Sequence, residues 1–311
     1  GVLRNNPPHG GFSEFDDSQS LGLWLQKAGY TTALIGKYLN GYKQSSSYIP
    51  PGWNQWMAFT EIGYDKFILN MDGKTKEFQE SDGVYSTDLL FENGINFIKE
   101  NEKKPFFLYL APYSCHSPAT PKNEDKKKFA DFLNRPLSYN EKNLNDKPSF
   151  YRSVPLLEGK DQEKLDEFAK DQLRTLQSLD RNMKILFDEL KRLNLLEKTV
   201  IIYIGDNGYQ WGEHRLTAKG LPYEESIKVP FLIYVPGINP RTDKDNLVLN
   251  IDIAPTILEL ANVSKPQNWE FDGESIVNSL KNPEISLRDD FFIEILTKDK
   301  HKKDNEKPRR S

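Results

Sequence analysis

Cys115 is the only cysteine in this sequence. A lone cysteine excludes an internal disulfide framework and a Cys-based zinc site. Histidine is scarce too, with His9, His116, His214 and His301 as the full set. Zinc favours imidazole, so this is a thin supply for a dinuclear zinc centre. No apolar run reaches the roughly 18 residues that a membrane-spanning helix needs. Positive charge is not in surplus either: 42 Lys and Arg against 46 Asp and Glu give a formal net charge of -4. That balance argues against a general nucleic-acid binder, which needs a basic face. No signal peptide is visible, although the first residue is Gly1 and not Met.

What is present suffices for a sizeable core. The 311 residues are 37% hydrophobic, with 18 Phe, 14 Tyr and 5 Trp, a size for one large domain or two modest ones. The pattern predicts a helix over Ser20–Ala28, capped by Ser20 and ended by Gly29. A short buried strand follows over Thr31–Ile35. Asn40–Trp56, rich in Gly, Ser and Pro, reads as a long surface loop. Tyr85–Ile98 is helical, and Phe106–Ala111 is an apolar run of strand length between Pro105 and Pro112. Residues 118–161 read as a polar excursion. Leu165–Leu193 is a long helix, Thr199–Ile204 and Pro230–Val235 are strands, and Ile253–Leu260 is a helix with Pro255 in its first turn. Strands alternating with helices predict an α/β fold with a mostly parallel sheet. Residues 298–311 read as a basic, solvated, disordered tail. Asn262-Val263-Ser264 matches an N-glycosylation sequon, a pattern frequent enough by chance to decide nothing.

In open α/β sheets, ligands gather at the carboxyl ends of strands. Three strands here end in chemistry-bearing residues: Lys37 after Gly36, His116 after Phe106–Ala111, and Asp206-Asn207 after Thr199–Ile204. Asp206 and Asn207 offer oxygen, which suits hard cations such as Ca²⁺ or Mg²⁺. Asp-Asn-Gly is equally a turn signal. A lone loop histidine is ordinarily hydrogen-bonded, and Lys37 and Lys219 are ordinarily solvated. Spacing by itself leaves both readings open.

The same residues resemble sulfatase segments in the family's order. Ala28–Tyr42 (AGYTTALIGKYLNGY) is similar to the segment ending in Gly-Lys. Pro105–Pro118 (PFFLYLAPYSCHSP) is similar to the strand and loop that carry an active-site histidine. Gly205–Leu216 (GDNGYQWGEHRL), with Lys219-Gly220 and Pro222–Glu225, resembles the metal-binding strand end and its following lysine. Asn250–Thr256 resembles the next helix. The Gly-Lys-Tyr-Leu-Asn and DNGYxxGEHRL forms look most like N-acetylglucosamine-6-sulfatase-like members.

The resemblance implies an alkaline-phosphatase-like α/β sandwich, one divalent cation (Ca²⁺) and a formylglycine nucleophile made from Cys or Ser in a Cys/Ser-x-Pro-x-Arg motif. It implies Asp206 and Asn207 as metal ligands, and Lys37, His116 and Lys219 as catalytic and sulfate-binding residues, with His116 as proton donor to the leaving alkoxide. Glu213, His214 and Arg215 would be supporting residues, and Asp88 and Asp180 structural. The implied substrate is a sulfated small molecule or glycan, and the implied location is exported, periplasmic or lysosome-like.

Two departures from the pattern stand out. No Cys/Ser-x-Pro-x-Arg motif occurs: Cys115 is followed by His116-Ser117-Pro118-Ala119. Nor does an acidic pair follow an opening strand, since no apolar strand precedes Asp16-Asp17. The expectation is therefore that residues 1–297 form part of a sulfatase catalytic domain, incomplete at both ends, and that the 311 residues alone do not turn over sulfate esters. Leu39 also stands where many members place a histidine. Two competing readings remain. One is a phosphatase or phosphodiesterase of the same superfamily. The other is a non-catalytic protein that binds sulfated glycans.

Overall fold

The computed structural model describes residues 5–45, 47–149, 151–243, 246–267 and 269–294. The basic run 298–311 and His301 lie outside them. In chain order the elements are α1 (Leu21–Lys27), β1 (Thr31–Gly36), β2 (Gln55–Glu61), β3 (Phe67–Met71), β4 (Lys74–Phe78), α2 (Ser86–Glu100), β5 (Phe106–Ala111) and α3 (Gly159–Arg192). They continue with β6 (Ile201–Ile204), β7 (Gln210–Trp211), β8 (Thr217–Ala218), α4 (Glu224–Ile227), β9 (Phe231–Tyr234), α5 (Ile253–Leu260) and α6 (Val277–Lys281). The chain divides into two compact units. The first is Gly1–Tyr113, Leu179–Ile201 and Tyr234–Phe292; the second is chiefly Ser114–Ser178 and Ile202–Ile233.

The first unit is built on a five-stranded sheet in the order β4-β3-β2-β1-β5. β1 runs parallel to both β2 and β5, and β2, β3 and β4 form an antiparallel meander. Side chains alternate across a strand, and β1 uses both faces. Ala33 and Ile35 pack with Met57, Phe59 and the α2 residues Leu90 and Phe97. Leu34 faces the other way, against Tyr42, Trp56 and Ala58. That two-sided burial is why β1 reads as a continuous apolar run. Trp24 and Leu25 of α1 meet Leu258 of α5, while Leu186 and Leu190 of α3 pack on Phe91, Ile95 and Ile98 of α2. As expected, Ser20 caps α1, its hydroxyl accepting from the Leu23 N–H at 3.3 Å.

Two expectations are corrected. The stretch Asn40–Trp56 is not simply a surface loop, because Tyr42 and Trp56 are each only 1% exposed. Their polar atoms are satisfied internally: the Tyr42 hydroxyl accepts from Trp56 Nε1 at 2.8 Å and from Asn70 Nδ2 at 2.7 Å. A Gly/Ser-rich composition concealed two aromatics that can be buried because each has a partner. The second correction concerns β5, expected to be buried on both faces. Its residues are half-buried and Tyr109 is 50% exposed. Among the described strands β5 has a neighbour, β1, on one side only.

In the second unit, no helix or strand occurs between β5 and α3 among the described residues, as the polar composition of 118–161 predicts. β6 pairs with β9, and β7 pairs antiparallel with β8.

The junction of β1 with Lys37 depends on glycine. Gly36 has φ +125°, and a Cβ there would meet the Ala111 carbonyl oxygen at 2.0 Å. Gly36→Ala is expected to cost about 2–3 kcal/mol through backbone strain and a displaced β5 end. Urea unfolding checks this, and a midpoint equal to that of the parent chain would refute it.

Candidate functional site

Lys37 is placed by the first unit. Its backbone N–H donates to the Ala111 carbonyl at 2.8 Å, which ties it to the carboxyl end of β5. The half-buried side chain turns back so that Nζ donates to Asn40 Oδ1 at 3.0 Å and to the Tyr38 carbonyl at 3.4 Å. The lysine therefore sits at the sheet edge where α/β proteins bind ligands. Leu39 lies in the same turn and brings no titratable group.

The second unit holds Asp206, Asn207, Lys219 and His116. β6 ends at Ile204, and the two oxygen-bearing residues follow in an exposed turn. Gly208 allows that turn to approach α4: its N–H donates to the Ser226 carbonyl at 2.9 Å, and a Cβ would meet the Glu225 carbonyl at 2.1 Å. Lys219 follows β8, and its ammonium donates to Asn207 Oδ1 at 3.0 Å. The lysine and the cation-ligand candidate that the resemblance pairs are thus in direct contact.

His116 is exposed, with Nδ1 at 3.0 Å from the Ser117 carbonyl. The Ser117 hydroxyl is at 3.4 Å from the same nitrogen; the shorter contact, to a carbonyl that only accepts, favours the Nδ1–H tautomer, which leaves Nε2 for proton exchange. The preceding residue lies near the cation pair. Burial pushes the Cys115 thiol up, and the Asp206 carboxylate raises it further.

The supporting triplet has defined partners. The Glu213 carboxylate, on a residue only 3% exposed, accepts from the Trp211 N–H at 2.6 Å and from Asn134 Nδ2 at 2.8 Å. His214 Nδ1 meets Glu141 Oε2 at 3.0 Å. Burial pushes the Glu141 carboxyl up, but the His214 hydrogen bond and charge and the nearby Lys147 outweigh it, so its pKa falls. Arg215 donates to three backbone carbonyls, Glu141 at 2.7 Å and Lys142 and Val154 at 2.8 Å each. Together they clip the 134–154 stretch of the excursion onto the turn between β7 and β8. Asp88, expected to be structural, accepts from Asn182 Nδ2 at 2.6 Å, which ties α2 to α3.

Sequence reasoning missed Gln172 and Trp211. Gln172 projects from α3, is 6% exposed, and donates through Nε2 to the Cys115 carbonyl at 3.0 Å. Its Oε1 accepts from Trp211 Nε1 at 2.5 Å. One signal was available: a glutamine amid the helical pattern of α3 asks what its amide bonds to.

The donor set at the end of β6 fits a hard cation in kind, with a carboxylate and an amide oxygen side by side. Among the described residues no group of three or more His, Cys, Asp and Glu is arranged to hold a metal ion. Asp206 and Asn207 alone therefore fall short of the roughly six to eight oxygens that calcium takes. No described helix is long and apolar enough to cross a membrane.

The fold is alkaline-phosphatase-like. BT4656, solved in complex with its substrate D-glucosamine-2-N,6-O-disulfate, superposes with a TM-score of 0.69 at 23% identity, over 86% of this chain and 66% of that one. A phosphonate monoester hydrolase from Silicibacter pomeroyi superposes at 0.68 and 18% identity, over 92% and 64%. Similarity this distant shows the fold alone. The family follows from the sequence: the sulfatase family model matches residues 1–263, and the chain belongs to the sulfatase family. It is 31% identical to human N-acetylglucosamine-6-sulfatase over 276 residues, covering 86% of this chain and 50% of the relative. To a Drosophila melanogaster extracellular sulfatase SULF-1 homolog it is 32% identical over 283 residues, covering 88% and 25%. The chain thus spans half or less of the length of these two relatives.

Proposed function

We propose that the complete protein hydrolyses sulfate esters of sugars or glycosaminoglycans. The observation that carries this reading is the contact between Lys219 Nζ and Asn207 Oδ1, in the unit that also holds Asp206 and His116. It joins an anion-binding ammonium to an oxygen-ligand pair, the combination a sulfate oxyanion needs. A divalent cation, with Ca²⁺ best suited to these donors, would offset charge on the sulfate oxygens, and a formylglycine supplied by the complete protein would provide the nucleophile. Asp206 and Asn207 would hold that cation. Lys219 binds and orients sulfate oxygens, and for Lys37 that role rests on the family resemblance alone. His116 gives the proton at Nε2 to the departing alkoxide oxygen, with Nδ1 fixed on the Ser117 carbonyl. An N-acetylglucosamine-6-sulfatase is among the relatives, which supports a 6-sulfated amino sugar as the substrate class.

The test is sulfate release by the complete gene product from glucosamine 6-sulfate and 4-nitrophenyl sulfate, with bis(4-nitrophenyl) phosphate as competitor chemistry. Calcium-dependent sulfate release is expected to dominate, and Lys219→Ala is expected to lower kcat/KM by about 10²-fold. Zinc-stimulated diester cleavage exceeding sulfate release would overturn the reading. The 311 residues alone are expected to bind sulfate without turning it over.

A further inference from the structure

We propose that Gln172 is a positioning residue for His116, acting through the peptide that precedes the histidine. This rests on the role given to His116 above. The Cys115 carbonyl that receives the Gln172 amide proton belongs to the same planar unit as the His116 N–H. Fixing that carbonyl fixes the plane from which His116 departs. The other end of the amide accepts from the Trp211 indole, on the strand that follows the Asp206-Asn207 turn. One buried side chain thus couples the approach to His116 with the exit from the cation pair, inside a single unit.

The residue type follows from the two partners. A carbonyl must be given a proton and an indole must give one, so the bridge needs a donor and an acceptor on one short group. An amide has both. Glutamate at this position would still accept from the indole but could not donate to the Cys115 carbonyl. Methionine fills a similar volume and bonds to neither. At 6% exposure, water does not readily replace the lost partners.

If the bridge aims His116, its loss hurts most where the leaving group needs a proton. In the complete gene product, Gln172→Met is expected to lower kcat/KM for glucosamine 6-sulfate by about 30-fold, the scale of a small misplacement at a reacting centre. For 4-nitrophenyl sulfate, whose phenolate departs unaided, the loss is expected to be about three-fold. Trp211→Phe, which keeps the ring but removes the indole N–H, is expected to show the same selectivity more weakly. It carries the test if Gln172→Met does not fold. Equal losses on both substrates, or none, overturn the proposal. His116→Ala, run alongside, separates the two levels. If it is selective for the poor leaving group and the Gln172 and Trp211 variants are not, the positioning role fails alone. If His116→Ala is itself unselective, the proton-donor role falls and the positioning role with it.

Discussion

Arg288→Ala is expected to destabilise the first unit by about 3–5 kcal/mol, the cost of leaving a buried charge without its partner. Asp252 is fully buried at the start of α5, and Arg288 grips it with Nη1 to Oδ2 at 2.6 Å and Nη2 to Oδ1 at 2.8 Å. The carboxylate also accepts from the Leu249 N–H at 2.8 Å and the Glu274 N–H at 2.9 Å. Removing the guanidinium leaves the charge held by two amides in a dry setting. The pH dependence has a definite sign. Burial pushes the Asp252 carboxyl up, but Arg288 and the two backbone N–H groups outweigh it, so its pKa lies below the ordinary 3.8. A depressed carboxylate contributes stability that is present above its unfolded pKa and lost as pH falls through its folded pKa. The stability gap between parent and Arg288→Ala should therefore be full at neutral pH and narrow below pH 3.8. Urea titrations at several pH values read both effects. A gap that is absent at neutral pH, or that widens in acid, contradicts this account.

Asp206→Ala is expected to lower turnover of the complete gene product by about 10²–10³-fold, the range for losing one source of charge stabilisation at an oxyanion, here the cation that Asp206 would hold. Asp206 supplies the only formal negative charge of the cation pair, and the neighbouring Asn207 oxygen already shares its lone pairs with Lys219. Loss of the carboxylate leaves a neutral oxygen beside an ammonium, a poor place for a dication. Asp206→Asn keeps an oxygen and removes the charge. It is expected to raise the calcium concentration for half-maximal activity, with partial recovery at high calcium. Asp16, a carboxylate engaged by the Ser18 hydroxyl and N–H, is the control. Asp16→Ala should leave the calcium response unchanged. A calcium response unaltered in Asp206→Ala would remove this residue from the cation site.

Much of this was legible in the sequence because the signals were local. β5 and α5 have the bounds that their flanking prolines and apolar periodicity predict, and Ser20 caps α1 as its position before the first apolar turn requires. Lys37, Asp206 and Asn207 follow strands whose ends were readable. What stayed hidden depends on partners distant in sequence. Tyr42 and Trp56 are core residues only because Asn70 and each other's polar atoms satisfy them. The meander of β2, β3 and β4 carries no marked turn signature beyond Asp72-Gly73 between its last two strands. Gln172 gains its meaning from Cys115 and Trp211, on two other segments, and no spacing rule connects them. The Arg215 clasp on the 141–154 backbone is of the same kind, since a carbonyl acceptor leaves no trace in residue identity.

The composition of β5 bears on how the chain behaves in a tube. Phe106–Ala111 is six residues of phenylalanine, leucine, tyrosine and alanine, without charge or internal proline. Laid bare by opening of the fold, a segment of that composition is a template on which another extended chain can pair, copy upon copy. Pro105 and Pro112 bound it and keep such growth from spreading along the backbone. Loss of clear solution should thus follow the opening of the fold more than the charge of its surface.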